Sequence, residues 1–385
     1  MPNPIINPAI LLSPVETGYV AYDPIGDKLH QLNPGAALLA ELCDGTRSVD
    51  DLRALAGPFM PEGSVDAIDR WIDDAMTAGL LTWGGSVSAA HREFSADELF
   101  DFASRLKSCG KVQTAFLCLQ KTVELKPDHT EAWYKLGDVA QSVGRRAEAR
   151  IAYEKYLELE PGGDAELEQI LVALRGEAPP ERAPDRCIQQ IYRDFAWHYD
   201  SQMREDLQYQ GPERLLDVLM PVIGERRDLS ILDIGCGSGL AGVALRPLAR
   251  HLIGVDLSPE MLELARKRNI YDKLEVAEIT EWLENTKDSF DVIACCDCLI
   301  YFGDLGRIVS AAGKRLKKDG GFVFSMERGD VHPFKLTDTG RYAHHPDHVR
   351  EAAASAGLSV AELREAFLRM EYGVEVMGLY AALTK

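Results

Sequence analysis

Apolar residues recur along the chain with three different spacings, and each spacing marks a different kind of structure. In residues 1–83, the stretches Pro8-Ala9-Ile10-Leu11-Leu12, Gly18-Tyr19-Val20-Ala21-Tyr22 and Lys28-Leu29-His30-Gln31-Leu32 are separated by Pro14, Pro24, Gly26 and Asp27. That pattern predicts three short strands. Three helices follow. Asn33-Pro34 starts the first, which stops at Asp44-Gly45, and Ser48 starts the second, with Val49, Leu52 and Leu55 on one face. The third runs from about Ser64 to Gly79 on a stripe of Val65, Ile68, Ile72 and Met76, and Leu80-Leu81 closes the segment.

Beyond the flexible joint Gly84-Gly85-Ser86 the spacing becomes purely helical and repeats itself. Gly110 and Gly144, Ala115 and Ala149, Lys121 and Lys155, and Pro127 and Pro161 each lie 34 residues apart. That is the period of tetratricopeptide (TPR) repeats, which residues 94–176 resemble. The second copy carries Trp133, Leu136, Gly137, Ala149, Tyr153 and Pro161, whereas the first has Leu99 and Ala103 where Trp and Gly belong. A helix from about Ala165 to Leu174 is expected to cap the array. Two repeats are fewer than an independent array needs, so the segment is expected to pack on a neighbouring domain. Its role is read as a spacer, or as a peptide groove.

Glu177-Ala178-Pro179-Pro180-Glu181-Arg182-Ala183-Pro184 reads as a proline-rich linker over 177–188, and Ile191 to Asp200 as an aromatic helix. Strands and helices then alternate. Strands are expected at 230–234, 251–255, 273–277, 290–296 and 321–326, with a helix from Pro346 to Ala356. A terminal strand pair is placed near 363–370 and 376–384. The alternation predicts a Rossmann-like domain over 189–385, with a seven-stranded, mostly parallel sheet and a ligand crevice at the strand C-termini. The whole chain is thus expected to be multidomain: α+β, then all-α, then α/β.

The α/β part opens on Ile231-Leu232-Asp233-Ile234-Gly235-Cys236-Gly237-Ser238-Gly239, and its second strand ends in Val255-Asp256. Glycines permit positive φ and close approach of a ligand to the backbone. An acid at the tip of the second strand is placed to accept hydrogen bonds from a ribose diol. Gly-x-Gly-x-Gly lacks the extra residue of the dinucleotide fingerprint, which suits a nucleoside without a pyrophosphate.

Charge narrows the partners. The chain has 42 Lys and Arg against 61 Asp and Glu, a net of −19, which argues against nucleic acid. Residues 1–83 hold four basic and twelve acidic residues, 4 − 12 = −8, so this winged-helix-like pattern is not expected to read DNA. Its third helix bears Asp66, Asp69, Asp73 and Asp74. No apolar run reaches the roughly 18 residues of a membrane span, and Met1-Pro2-Asn3-Pro4 is not a secretory leader, so a cytoplasmic protein is expected. Cys295, Cys296 and Cys298 lie on an expected buried strand whose alternation separates them, and no metal site is expected.

Two family resemblances add to this. Leu32-Asn33-Pro34-Gly35-Ala36, Leu42-Cys43-Asp44-Gly45-Thr46-Arg47-Ser48-Val49 and Ala78-Gly79-Leu80-Leu81 resemble PqqD-like domains, the leader-peptide recognition elements of ribosomally made, modified peptides. The resemblance implies a peptide added as a strand beside the third strand, against the third helix, with Leu29, Gln31, Arg70 and Asp74 in the groove. The glycine-rich motif and Val255-Asp256-Leu257-Ser258-Pro259-Glu260-Met261-Leu262 resemble class I S-adenosylmethionine (SAM) methyltransferases. Residues 95–385 are more narrowly similar to methyltransferases that carry TPR repeats, through Leu207 to Pro212, Asp297 to Leu305, Gly340 to His344 and Arg369 to Gly373. This resemblance implies SAM as cofactor. It would be held by Asp233, Gly235, Cys236, Gly237, Gly239, Asp256, Leu257, Met261, Glu278 and Ile279, with Asp297 shaping the site.

The remaining chemistry is read from the residues. Tyr192, Tyr199 and Tyr209 are placed to wall the site near a cationic sulfonium, two of the three being accounted for equally well as packing. His344 is the expected base, the alternative being an exposed loop histidine. Tyr301 is an expected substrate contact. Arg369 and Glu371 share a strand face, to orient an acceptor or to pair with each other. The leading reading is a SAM-dependent methyltransferase acting on a ribosomal peptide, with a partner modification enzyme possible. The others are a small-molecule O- or N-methyltransferase with a regulatory front half, and a peptide-binding scaffold with a vestigial SAM site.

Overall fold

The computed structural model describes residues 2–15, 18–57, 65–84, 95–108, 110–203, 207–371 and 374–385. Ser64, the Gly85-Ser86 joint and Gly373 lie outside the described residues. The chain forms two compact units, Met1–Pro161 and Gly162–Lys385.

In the first unit, β1 (Pro4–Ile6) pairs antiparallel with β5 (Leu81–Trp83), while β2 (Leu11–Val15), β3 (Gly18–Asp23) and β4 (Lys28–Leu32) form an antiparallel sheet in that order. The first expected strand starts later than Pro8. Asn7 accepts from the Ala9 N–H at 3.0 Å and donates to the Gly79 carbonyl at 2.8 Å, which holds Pro8-Ala9 in a turn. The helices are α1 (Pro34–Leu42), α2 (Val49–Ala56) and α3 (Val65–Thr77). Asn33 caps α1, and Ser48 and Asp51 form a capping box on α2. Leu52, Ile68 and Ile72 join Leu32, Leu39 and Leu81 in the core. Leu55, expected on the buried face of α2, is 49% exposed, and Ala56 is buried in its stead.

The repeats are two antiparallel hairpins, α4 (Ala96–Ser108) with α5 (Val112–Leu125) and α6 (Thr130–Ser142) with α7 (Arg146–Leu159). A Cβ on Gly137 would collide with the ring of Tyr153. The first copy tolerates Ala103 at the equivalent place because the residue matching Tyr153 is the smaller Leu119. The hairpins pack on the small sheet: the rings of Tyr22 and Phe102 are 6.2 Å apart, Lys111 pairs with Asp27 at 3.0 Å, and Arg145 donates to Ser13 at 3.3 Å.

The helix at the place of the expected cap, α8 (Ala165–Arg175), falls in the second unit. It packs against α9 (Asp185–Phe195), to which Gln190 and Asp164 tie it at 2.9 Å. The segment read as a linker is also part of this unit. Ala183 N–H donates to the Tyr301 carbonyl at 2.8 Å, Gly303 N–H to the Glu181 carbonyl at 2.7 Å, and the Tyr342 hydroxyl to the Pro180 carbonyl at 2.7 Å. Pro179, Pro180 and Pro184 keep the segment out of a helix, which leaves the Pro180 and Glu181 carbonyls available for these bonds.

After a single-turn α10 (Tyr199–Ser201) and α11 (Gly211–Ile223), the order is β6 (Leu229–Ile234), α12 (Leu240–Leu245), β7 (Ala249–Asp256), α13 (Pro259–Arg268), β8 (Lys273–Val276), α14 (Ile279–Asn285), β9 (Phe290–Cys295), α15 (Gly306–Arg315), β10 (Leu316–Arg328), β11 (Phe334–Leu336), β12 (Tyr342–His344), α16 (Pro346–Ser355), β13 (Ser359–Glu371) and β14 (Val374–Thr384). Strands β8-β7-β6-β9-β10 are parallel, and β14 and β13 continue the sheet antiparallel from β10. Among the described residues the sheet has nine strands where seven were expected. β10 outruns β9, whose pairing ends at Phe324, and the exposed ladder at Glu327 and Arg328 is taken up by β12, which β11 extends. Alternation along the buried strands serves two cores. Ile231, Val292 and Val323 face one layer of helices, and Leu232, Ile293 and Phe322 the other.

Candidate active site

The glycine-rich turn follows β6 directly. Gly235 and Gly237 have φ of 64° and 54°, and the Gly235 N–H donates to the Val255 carbonyl at 2.8 Å. A Cβ on Gly235 would lie 2.5 Å from Cys298 Cβ. Asp256 organises the turn: its Oδ2 accepts from the Gly237 N–H and its Oδ1 from the Ser258 N–H, both at 2.8 Å. Burial raises the Asp256 carboxyl above its ordinary range.

A cavity of about 560 Å³ opens over this turn, lined by Gly235, Gly237, Asp256, Leu257, Glu278, Ile279, Cys296, Asp297 and Cys298 below and by Arg182, Tyr192, Tyr199 and Tyr301 around it. A nucleoside-bearing sulfonium fits these donors. Bare glycine backbone clears its path, a buried carboxylate stands at the β7 tip, and the Glu278-Ile279 pair stands at the start of α14. Asp200 ties the aromatic segment to the turn, accepting from Ser238 Oγ at 2.6 Å and pairing with Arg268.

Residues 231–320 match the methyltransferase domain family and residues 130–162 the tetratricopeptide repeat family. The chain carries a SAM-dependent methyltransferase domain. A ubiquinone biosynthesis O-methyltransferase of Xylella fastidiosa is 33% identical over 141 residues, 34% of this chain and 57% of that protein. One of Xanthomonas oryzae is 29% identical over 175 residues, 40% of this chain and 73% of that protein. The chain therefore spans little more than half the length of the first relative. Among solved structures, a magnesium protoporphyrin IX methyltransferase of Synechocystis with bound S-adenosylhomocysteine is 14% identical with a TM-score of 0.41, over 52% of this chain and 100% of that one.

The methyltransferase domain has a second, wider cavity of about 1020 Å³, which shares Tyr192, Tyr199, Asp297 and Tyr301 with the first. Phe195, Met203 and Leu207 form its apolar side, and Arg341, Arg369 and Glu371 its polar side. Arg369 pairs with Asp297 at 3.2 Å, with Glu371 at 3.4 Å and with Glu327, while Arg341 bonds Glu327 at 2.9 Å and pairs with Glu371. Burial pushes the Asp297 carboxyl up to about 6 against the opposing pull of Arg369. Burial would likewise raise Glu327, but Arg341 and Arg369 together bring it below its ordinary value. The Tyr301 hydroxyl donates to that of Tyr192 at 3.2 Å.

Most of the expected cofactor residues thus converge. Tyr209 and Cys236 line a smaller pocket beside Tyr199 and Gly237, where the Tyr209 hydroxyl lies 3.2 Å from Cys296 Sγ. Asp233, Gly239 and Met261 do not line the first cavity. Asp233 is wholly buried, accepts from the Tyr271 hydroxyl at 2.7 Å, and is pushed up to about 7 by burial. Gly239, with φ of 90°, caps α12, and Met261 is buried in α13. His344, expected as the base, lines neither cavity. It is fully buried in β12 with Nδ1 3.2 Å from His348 Nδ1, and burial lowers it to about 3, so it is a core histidine. Arg369 and Glu371 do share a face, but within a five-membered network rather than as a lone pair. Arg182 and Glu327 were not anticipated. Glu327 carried a readable signal, an acid ending the buried run Phe322 to Met326; Arg182 did not, lying in a stretch read as linker.

The crowding at the turn gives a direct test. Gly235→Ala is expected to weaken SAM binding by about tenfold, through positive φ and the clash with Cys298. Equilibrium dialysis with labelled SAM reads this, and wild-type affinity would mean the turn does not adopt this conformation.

Proposed function

We propose that the whole chain methylates an acceptor seated in the second cavity, and that this acceptor is a ribosomal peptide held by the PqqD-like first domain. The observation that carries the first part is the shared wall: Tyr192, Tyr199, Asp297 and Tyr301 border both cavities, so a cofactor and an acceptor there meet. SAM supplies an activated methyl group on a sulfonium. The protein's own residues supply alignment and exclusion of water, worth up to roughly 7–11 kcal/mol in well-oriented systems. The aromatic segment from Tyr192 to Tyr199 closes one side, and the Arg369 network holds the other.

The peptide reading is supported by β4. Among the described residues it pairs only with β3, leaving one edge of its backbone unpaired, and Leu29 on it is 55% exposed. Gln31, Arg70 and Asp74 are exposed as well. An unpaired edge with an apolar side chain suits strand addition, with the backbone giving affinity and Leu29 giving specificity. We place the protein in the cytoplasm, where a leader peptide and a partner modification enzyme would meet it; no helix among the described residues is long and apolar enough to cross a membrane. A small-molecule acceptor is the second reading, favoured by the relatives' names as ubiquinone biosynthesis O-methyltransferases.

A display selection of random 15-residue peptides against the full chain separates them. Enriched peptides are expected to bind about tenfold more weakly to Leu29→Asp and to gain one methyl group with SAM, read by mass spectrometry. Peptides indifferent to Leu29, or no enrichment, would sink the peptide reading and leave the small-molecule one.

A further inference from the structure

The second cavity carries more information about its occupant than its size does. Among the described residues its polar side, with Glu327 behind it, joins five ionic groups, Arg341 and Arg369 against Asp297, Glu327 and Glu371. With all five ionised the set sums to 2 − 3 = −1. An acceptor bearing a carboxylate would take it to −2.

Asp297 is the member that borders both cavities. Its Oδ2 is held by Arg369 at 3.2 Å, while its buried Oδ1 has no hydrogen-bond partner among the described residues. A buried carboxylate oxygen without a donor is costly, and a bound donor relieves it. The residue is fixed in place: its φ is 54°, a region seldom used by residues other than glycine, and its N–H donates to Ser325 Oγ at 2.8 Å. Tyr192, Tyr199 and Tyr301 surround the same junction, with rings packed edge to face 6.1 Å apart. A carboxylate among aromatic walls is the arrangement that binds ammonium groups.

Resting on the methyltransferase reading above, we propose that the methyl acceptor is a cationic amine and that the Asp297 carboxylate receives the proton it must lose. The ammonium gives one proton to the carboxylate. The freed nitrogen lone pair then forms the new C–N bond as the S–C bond of the sulfonium breaks, its electron pair staying on sulfur. The products are a methylated ammonium, a neutral thioether and a protonated Asp297, which returns its proton to solvent. Burial, which already brings Asp297 toward neutrality, narrows the gap between carboxyl and ammonium.

The test is calorimetry on the full chain saturated with S-adenosylhomocysteine, titrated with benzylamine, benzyl alcohol and benzoate, which share a ring and differ in charge. Benzylamine is expected to bind about tenfold more tightly than benzyl alcohol and benzoate to give no heat, with the amine preference lost in Asp297→Asn. The wild-type comparison stands even if that variant folds poorly. Equal binding of amine and alcohol, binding of benzoate, or no binding of any probe overturns the amine assignment. Failure of S-adenosylhomocysteine itself to bind would instead refute the methyltransferase reading, so the two failures are distinct.

Discussion

Asp256→Ala lowers the affinity of the chain for SAM by about a hundredfold, close to 3 kcal/mol. The size follows from what the carboxylate does in the protein. Its two oxygens accept from Gly237 and Ser258 N–H groups at 2.8 Å, so removing it takes away the acceptor of both donors and loosens the turn. It also removes the acceptor placed for a ribose diol. Calorimetry with SAM reads the loss, and circular dichroism checks that the domain still folds. Asp256→Asn, which keeps one oxygen acceptor, is expected to fall between wild type and Ala. Undiminished SAM affinity in the Ala variant would overturn the cofactor assignment.

Arg369→Leu destabilises the second unit by about 3 kcal/mol. Arg369 is 4% exposed and pairs with Asp297, Glu327 and Glu371, and among the described residues no other guanidinium lies within ion-pair distance of Asp297. The pH dependence has a definite sign. Asp297 sits at about 6 in the folded protein, above the ordinary carboxyl value of 3.8. Its protonated form is therefore favoured by folding, a contribution present below about 4 and lost as pH rises through about 6. Arg369 is the strongest influence opposing that rise, so in the variant the Asp297 carboxyl climbs further. The deficit against wild type thus grows with pH, and is larger at pH 8 than at pH 5 in urea unfolding of the second unit's transition. Adding Asp297→Asn to the variant removes the uncompensated charge and should recover part of the loss. A deficit that does not change with pH would mean that Arg369 acts by packing alone.

The parts of this protein legible in its sequence are those that depend on neighbours along the chain. A strand running into Gly235-Cys236-Gly237-Ser238-Gly239 and a second strand ending at Asp256 specify a nucleoside site, because the turn and the acid lie on adjacent strands joined by one helix. Caps at Asn33 and Ser48 are equally local, as is the 34-residue period whose second copy needs Gly137 to admit Tyr153. Faces are less secure than elements: Leu55 has the right spacing for the α2 stripe, yet the short helix turns Ala56 inward instead.

The second cavity is a tertiary product. Its polar side joins Asp297 past β9, Glu327 near the end of β10, Arg341 before β12, and Arg369 with Glu371 on β13. These meet only because β10 outruns β9 and the sheet turns antiparallel at β14. His344 shows the limit from the other side. Histidine before a helix suggests an available base, but pairing of β12 with the overhanging end of β10 buries it completely. The sequence by itself determined the glycine-rich turn and the acid beside it, through local turn chemistry and strand order. Only the tertiary structure decided which charges line the second cavity, because their pairing depends on strand lengths and packing that no local pattern encodes.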